Sequence, residues 1–307
     1  MAIESVHTTG WDVKLNPSGG AAENVTRILR HQYDILIAHE SGTRIGEDPE
    51  DLHRMRVAVR KMRTALRLFA SLLDRKATKP LGEGLRRLGG SLGQVRDRDT
   101  ALETLKAYWE SAPPEDRDVL QSIVVEIENR RQALREELLL ALDSERHLSL
   151  KNNMRQILEN GLPAGPDAPA FRCVVPRLIA KSWKRVQSVG PEIPGKEDER
   201  IHRLRLNCKH LRYLCEFTRP VIGKGLDFLR NSATRVQETL GVVRDSERDL
   251  RLLENLAAEA DSDAVKRLQT FFARRRDTAL SEFTVTWNRM VFPEYQAWVR
   301  YHLNALR

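Results

Sequence analysis

The chain has 307 residues, and its 51 lysine and arginine residues against 43 aspartate and glutamate residues give a formal net charge of +8. Aromatic residues make up only 6% of it, which argues against an extensive stacking platform for single-stranded nucleic acid. No run approaches the ~18 apolar residues of a membrane span, and the N-terminus lacks the pattern of a secretory signal. We therefore expect a cytoplasmic protein with no membrane partner.

Clusters of proline and glycine divide the chain into long segments. They predict loops at 17–20, 46–49, 79–84, 113–114, 161–169 and 190–195. Between them, apolar residues recur every three or four positions, which is typical of amphipathic helices, and strand-like alternation is scarce. The predicted fold is therefore all-α. The helix that begins at Pro49 has a clear start, because Asp48 can cap it and proline suits the first helical position.

Two motifs occur twice, in the same order and at nearly the same separation. LHRMRVAVRKMRTALRL at 52–68 matches IHRLRLNCKHLRYLCEF at 201–217, and LGQVRD at 92–97 matches LGVVRD at 240–245. This pattern predicts a duplicated helical unit, with repeats at about 20–160 and 167–307 that form a single domain. Residues 1–19 precede this domain as a segment in which flexibility is expected.

The first repeated helix carries a basic stripe. On a helix that advances about 100° per residue, five basic side chains share an arc of roughly 80°: His53, Arg56, Arg60, Arg63 and Arg67. The second helix repeats the stripe with His202, Arg205, Lys209 and Arg212, but Glu216 stands where Arg67 stands in the first. Both stripes border apolar faces, so we expect the helices at 49–73 and 196–218 to lie side by side with their stripes merged.

A solvated surface is the ordinary interpretation of a basic stripe. Here, however, residues 52–73 contain no acidic residue, whereas solvated helices usually alternate both signs. Closely spaced cations repel one another, and an anionic ligand would offset that repulsion. Arginine suits phosphate because its planar guanidinium donates paired hydrogen bonds. A line of such groups favours a linear polyanion over one compact phosphate.

The repeated motifs resemble those of the CHAD domain, the conserved-histidine α-helical domain. The resemblance covers about residues 21–301 and rests on the xHxxRxxxRxxR and LGxxRD patterns. It implies a helical bundle with pseudo-twofold symmetry that binds inorganic polyphosphate through basic residues. Some members carry a CYTH triphosphatase domain, but no ExExK run occurs in this chain. The resemblance assigns polyphosphate binding to His53, Arg56, Arg60, Arg63, His202, Arg205, Lys209 and Arg212, with Arg96, Arg244, Arg87 and Arg235 as weaker candidates.

Several roles stay open at the level of the sequence. Arg96 and Arg244 precede aspartates, so either a ligand contact or a structural ion pair would explain them. The motif histidines could be neutral groups at a helix interface or donors to phosphate. Gly89, Gly90 and Gly93 predict close helix packing or a kink.

The sequence offers little support for a metal or redox site. Its three cysteines, Cys173, Cys208 and Cys215, have no CxxC spacing, and its histidines lack a metal-binding pattern. We expect reduced thiols, no metal and no cofactor.

The leading functional hypothesis is non-catalytic binding of polyphosphate, in association with polyphosphate granules. The runner-up is a general polyanion or nucleic-acid backbone binder. A phosphohydrolase ranks below both, since basic stripes are the opposite of a metal-binding carboxylate cluster.

Overall fold

The computed structural model describes residues 13–165, 169–189, 199–256 and 262–306. Within these ranges the chain forms helices and no β-strand, so the all-α prediction is confirmed. The α-helices are α1 (Ala21–Ile45), α2 (Pro49–Leu68), α3 (Arg75–Trp109), α4 (Arg117–Asp143), α5 (Glu145–Asn160), α6 (Phe171–Gln187), α7 (Glu199–Ile222), α8 (Asp227–Leu256), α9 (Asp263–Val291) and α10 (Pro293–Ala305). Short 3₁₀ helices span Ala70–Leu72 and Pro114–Asp116.

The start of α2 agrees with its sequence signal. The Asp48 side chain accepts a hydrogen bond from the backbone N–H of Glu50 at 2.8 Å, and Pro49 takes the first helical position. The helix ends at Leu68, and the 3₁₀ helix follows it. All of the stripe from His53 to Arg67 therefore lies on one uninterrupted helix.

The loop predicted at 79–84 is wrong, because these residues lie inside α3. The Asp74 side chain caps α3 by accepting from the N–H of Lys76 at 2.6 Å. Pro80 removes one backbone donor near the start of the helix. Leu81 and Leu85 are each 1% exposed, and their burial offsets that loss.

The two halves of the chain pack in the same order. The consecutive helices α1 to α4 pack in sequence, as do α6 to α9, and α2 packs against α7 to join the halves. This order parallels the predicted repeats, although the duplication itself stays a prediction. No helix in the described residues is long and apolar enough to span a membrane.

The main hydrophobic core lies around α2 and α7. Met55 and Met62 of α2 and Leu204 and Leu211 of α7 are completely buried in it. A second core joins the far ends of α3, α4, α8 and α9, where Tyr108 and Phe272 are buried. The apolar residues that the sequence placed beside the two stripes therefore lie in one core, where α2 and α7 contact each other.

The segment before α1 makes hydrogen bonds to α1 and to the start of α6. The backbone N–H of Asn16 donates to the Asn24 side chain at 2.7 Å, and the N–H of Phe171 donates to the carbonyl of Gly19 at 2.8 Å. Residues 13–19 thus contact α1 and the start of α6, and the expected flexibility of 1–19 stays a prediction. Residues 1–12 and the loop predicted at 190–195 lie outside the described residues.

Candidate functional site

The stripes of α2 and α7 meet on one face of the bundle, here called the basic surface. It consists of His53, Arg56, Arg60, Arg63 and Arg67 of α2 and His202, Arg205, Lys209 and Arg212 of α7. The pKa of Arg205 is lowered by burial and by Arg244, and also by Arg60 and Arg56 across the helix contact, although Asp245 opposes the shift. The guanidinium groups of the two halves are therefore close enough to repel one another.

Lys209 lies at the centre of the basic surface. Burial lowers its pKa to about 8, assisted by repulsion from Arg205 on its own helix and from Arg60, Arg67 and Arg63 on α2. The charges that shift this amine most are thus all positive. A bound anion would stabilise its protonated form.

The two helices run in the same direction along the surface. Arg205 interacts with Arg56 and Arg60 near the start of α2, whereas His210 interacts with Arg67 near its end. The stripe from His53 to Arg67 spans about 21 Å at 1.5 Å per residue. The merged stripes predicted from the sequence therefore form an elongated patch.

The motif histidines lie at the N-terminal end of this patch. Burial lowers the pKa of His53, with help from Arg96, and burial together with Arg244 lowers that of His202. Both rings are thus mostly neutral at pH 7, and a neutral imidazole still carries one N–H donor. Nδ1 of His53 is buried and has no hydrogen-bond partner among the described residues.

The motif glycines make room for the arginines. A Cβ at Gly93 would lie 3.7 Å from Nε of Arg56, and one at Gly241 would lie 3.8 Å from Nε of Arg205. Gly89 also packs closely, since a Cβ there would lie 3.2 Å from Nη1 of Arg63. Close approach is therefore confirmed at Gly89, whereas the distances at Gly93 and Gly241 correspond to ordinary van der Waals contacts.

Gly90 does not share this role. A Cβ at this position would meet nothing within 4 Å. Of the two roles expected for these glycines, close helix packing or a kink, close packing is therefore wrong for Gly90.

The motif aspartates lie beneath the arginines, where α3 meets α8. Arg248 Nη1 is 3.4 Å from Oδ1 of both Asp97 and Asp245, and its Nη2 is 2.9 Å from Asp249 Oδ1. Arg56 Nη2 is 3.8 Å from Asp97 Oδ1. Asp97 thus pairs with arginines of α2 and α8, whereas Asp245 pairs with Arg248 of its own helix, and among the described residues neither pairs with the arginine that precedes it in sequence.

Two of the arginines predicted to bind the ligand form ion pairs with glutamates. Arg96 donates to both carboxylate oxygens of Glu103, at 2.9 and 3.3 Å. Arg212 donates from Nε to Glu216 at 2.8 Å. Arg96 thus forms an ion pair, with Glu103 as its partner, and its contact with a ligand stays a prediction. Arg244, at the corresponding motif position, is exposed.

These ion pairs leave a diagonal band of cations across the surface, here called the diagonal path. It begins at Arg244 beside the start of α7, passes Arg205 and Lys209, and ends at Arg63 and Arg67 near the end of α2. The band is diagonal because Glu103 neutralises Arg96 at one corner of the patch and Glu216 neutralises Arg212 at the opposite corner.

Arg87 and Arg235 lie away from the basic surface. Arg87 lines a groove between α3 and α5 beside Arg146, and Arg235 lines one between α8 and α9 beside Arg275. The two residues hold the same position in the aligned motifs, and each points away from the basic surface because a helix turns ~100° per residue.

Sequence reasoning missed several basic residues near the surface. Arg86 lowers the pKa of Arg63, though less than burial and Arg67 do, so it adds to the end of the diagonal path. In the second repeat Thr234 stands at the corresponding position, so the repetition did not single out Arg86. Other missed residues are Lys61, His210, Arg251 and Arg276.

The buried thiols pack in the core. Burial raises the pKa of Cys208 far above its usual range and raises that of Cys215 to about 12. Cys173 is exposed. Across the described ranges, no three His, Cys, Asp or Glu side chains converge in a group that could hold a metal ion.

Comparison with known proteins identifies the family to which the chain belongs. Residues 27–254 match the CHAD domain family, so the chain belongs to this family. The chain has the same fold as a crystal structure of the CHAD domain from the plant Ricinus communis, with a TM-score of 0.65 and 25% identity over 95% of this chain and 94% of that one.

Other relatives are more distant or longer. PptA from Streptomyces chartreusis shares the fold, with a TM-score of 0.69 and 18% identity over 88% of this chain and 99% of that one. The uncharacterized proteins MT2285 and Rv2226 of two Mycobacterium tuberculosis strains are each 25% identical over 231 residues, 73% of this chain. The chain spans 44% of the length of these two curated relatives.

Proposed function

We propose that this protein binds inorganic polyphosphate on its basic surface and does not transform it. The observation that carries the proposal is the convergence of α2 and α7, whose cations lower one another's pKa across the helix contact. An arrangement with this much internal repulsion gains stability when an anion binds. The link between the CHAD family and polyphosphate supports the choice of ligand.

The elongated shape of the surface favours a linear polyanion. A single phosphate could contact only a few of the cations, whereas a chain of phosphates laid along the diagonal path meets them in succession. Each neutralised phosphate releases counterions, so affinity depends steeply on salt. Arginine predominates on the path, and its planar donor group matches phosphate oxygens.

Calorimetry with long-chain polyphosphate at two salt concentrations tests the proposal. We expect tight binding that weakens steeply at the higher salt concentration. Pyrophosphate should compete poorly, because it reaches too few cations. Double-stranded DNA and single-stranded RNA should also compete poorly. Equal competition by nucleic acid would instead identify a general polyanion surface.

The proposal also covers cellular location and the absence of turnover. A fluorescent fusion should gather at polyphosphate granules, and it should leave them when the diagonal path is reversed in charge. Incubation of the purified protein with polyphosphate and magnesium or manganese should release no phosphate. Phosphate release that scales with protein concentration would contradict the non-catalytic role.

A further inference from the structure

The diagonal path begins at a cavity that the repeated motifs do not predict. The cavity has a volume of about 860 Å³ and lies between α7, α8 and α9. One side of it is formed by Arg205 and Arg244 of the diagonal path together with His202 of the basic surface. Arg251 of α8 and Arg276 of α9 also line it and extend the positive charge beyond the two stripes.

The corresponding corner of the first half is neutralised. Seven residues after the motif arginines stand Glu103 in the first half and Arg251 in the second. Glu103 binds both terminal nitrogens of Arg96, while Arg244 and Arg251 are both exposed side chains at the cavity. Because a glutamate stands at 103 and an arginine at 251, the motif arginine of the first half is held in an ion pair, whereas that of the second half is available to an anion.

The cavity also contains carboxylates. Glu247 and Glu254 line it from α8, and Glu199 lines it from the start of α7. An ionised carboxylate only accepts hydrogen bonds, so it repels an anion that has no proton to donate. A carboxylate can instead accept a hydrogen bond from an anion that carries a hydroxyl group. The combination of arginines and glutamates thus selects an anion that is both charged and able to donate.

The two kinds of phosphate in a polyphosphate chain differ in this respect. An internal phosphate is singly charged and has no hydroxyl group at neutral pH. A terminal phosphate has a second ionisation near neutral pH, about 6 in phosphoesters, so it can carry a P–OH group. Only the terminal group can therefore donate to a carboxylate while its other oxygens accept from arginine.

We infer that this cavity binds the terminal phosphate of a polyphosphate chain, with Arg244 and Arg251 donating to its oxygens and Glu247 accepting from its hydroxyl group. The inference rests on the proposed function, because the rest of the chain would occupy the diagonal path. It gives the bound chain a direction, with one end in the cavity and the remainder extending towards Arg67. The binding of internal phosphates alone would need no such cavity.

Chains with blocked ends test the inference. Polyphosphate that is long enough to span the diagonal path and whose terminal phosphates are capped with a small neutral alkyl group keeps its internal phosphates but lacks the terminal hydroxyl groups and their second ionisation. We expect the capped chain to bind about tenfold more weakly than the free chain, the loss of a charge-assisted hydrogen bond. Equal affinity would overturn the inference and leave the proposed function intact. No binding of either chain would refute the proposed function itself.

Variants locate the effect in the cavity. Arg251→Gln should remove the preference for free ends, whereas Arg274→Gln, an exposed arginine on α9 that does not line the cavity, should preserve it. Glu247→Gln should strengthen binding of the capped chain, since an amide can donate to any phosphate oxygen. Retention of the preference in both cavity variants would overturn the assignment. Circular dichroism confirms that each variant folds.

Discussion

Arg248 of α8 reaches Asp97 of α3, with 3.4 Å between Nη1 and Oδ1, and so joins the two halves beneath the basic surface. The same guanidinium group pairs with Asp245 and Asp249 on its own helix. Asp249 is 2% exposed, so its charge depends on this partner. Asp97 also pairs with Arg56, and the network therefore connects the packing of the halves to the position of a proposed ligand-binding arginine.

The first prediction concerns this network. Arg248→Ala leaves the buried Asp249 carboxylate without its ion-pair partner, and we expect the free energy of unfolding to fall by about 3 kcal/mol. Chemical denaturation measures the change. Arg248→Lys keeps the charge and should lose less. Equal stability of the alanine variant and the wild type would show that the network does not hold the halves together.

The second prediction tests the space beside Arg205. A Cβ at Gly241 makes only an ordinary contact with Nε, so Gly241→Ala should bind polyphosphate normally and stabilise α8 by about 0.5–1 kcal/mol. Gly241→Leu should displace the guanidinium and weaken binding about tenfold. Calorimetry and thermal melts separate the two effects. Normal binding by a folded leucine variant would contradict the role assigned to this glycine.

The third prediction is a pH dependence due to Lys209. Its pKa in the free protein is about 8, and a bound polyanion raises that pKa because it stabilises the protonated amine. Affinity should therefore be greatest below this pKa and fall as the pH rises from about 7 to about 9. Lys209→Arg keeps its charge over this range, so its affinity should change much less. A parallel decline in the wild type and this variant would exclude Lys209 as the source.

The fourth prediction concerns the glutamate that interrupts the second stripe. Glu216 holds Arg212, and Glu216→Gln should release it to contact polyphosphate. We expect affinity to rise roughly fivefold, about 1 kcal/mol. Glu136→Gln is the matched control, because it makes the same change at an exposed position on α4. An unchanged affinity, or an equal gain in the control, would place Arg212 outside the ligand path.

The fifth prediction compares the two halves directly. Arg56→Glu with Arg60→Glu, and separately Arg205→Glu with Lys209→Glu, should each weaken polyphosphate binding about a hundredfold and reduce its salt dependence. Arg54→Glu with Arg203→Glu reverses two exposed arginines of the same helices and should change little. An effect from one half alone would mean that the surface is not shared.

Repetition in the sequence accounts for much of what could be predicted. Helical periodicity gave the fold class, and the motif spacing placed His53, Arg56 and Arg60 on one face of α2, because a regular helix fixes the direction of each side chain. The prediction that α2 and α7 lie together followed from their apolar faces. The loop assigned to 79–84 was wrong because the burial of Leu81 and Leu85 outweighed the local signal of proline and glycine.

The charge balance of the surface needed the tertiary structure. Arg96 and Arg244 occupy the same place in their motifs, yet Glu103 neutralises one and the cavity receives the other. Likewise Arg87 and Arg235 share a motif position but lie in separate grooves. The sequence by itself determined which helices carry the cations. Only the packing decided which cations face one another across the contact of α2 and α7, as Arg205 does with Arg56 and Arg60, because these charges lie far apart in the chain and interact only through their distances in the fold.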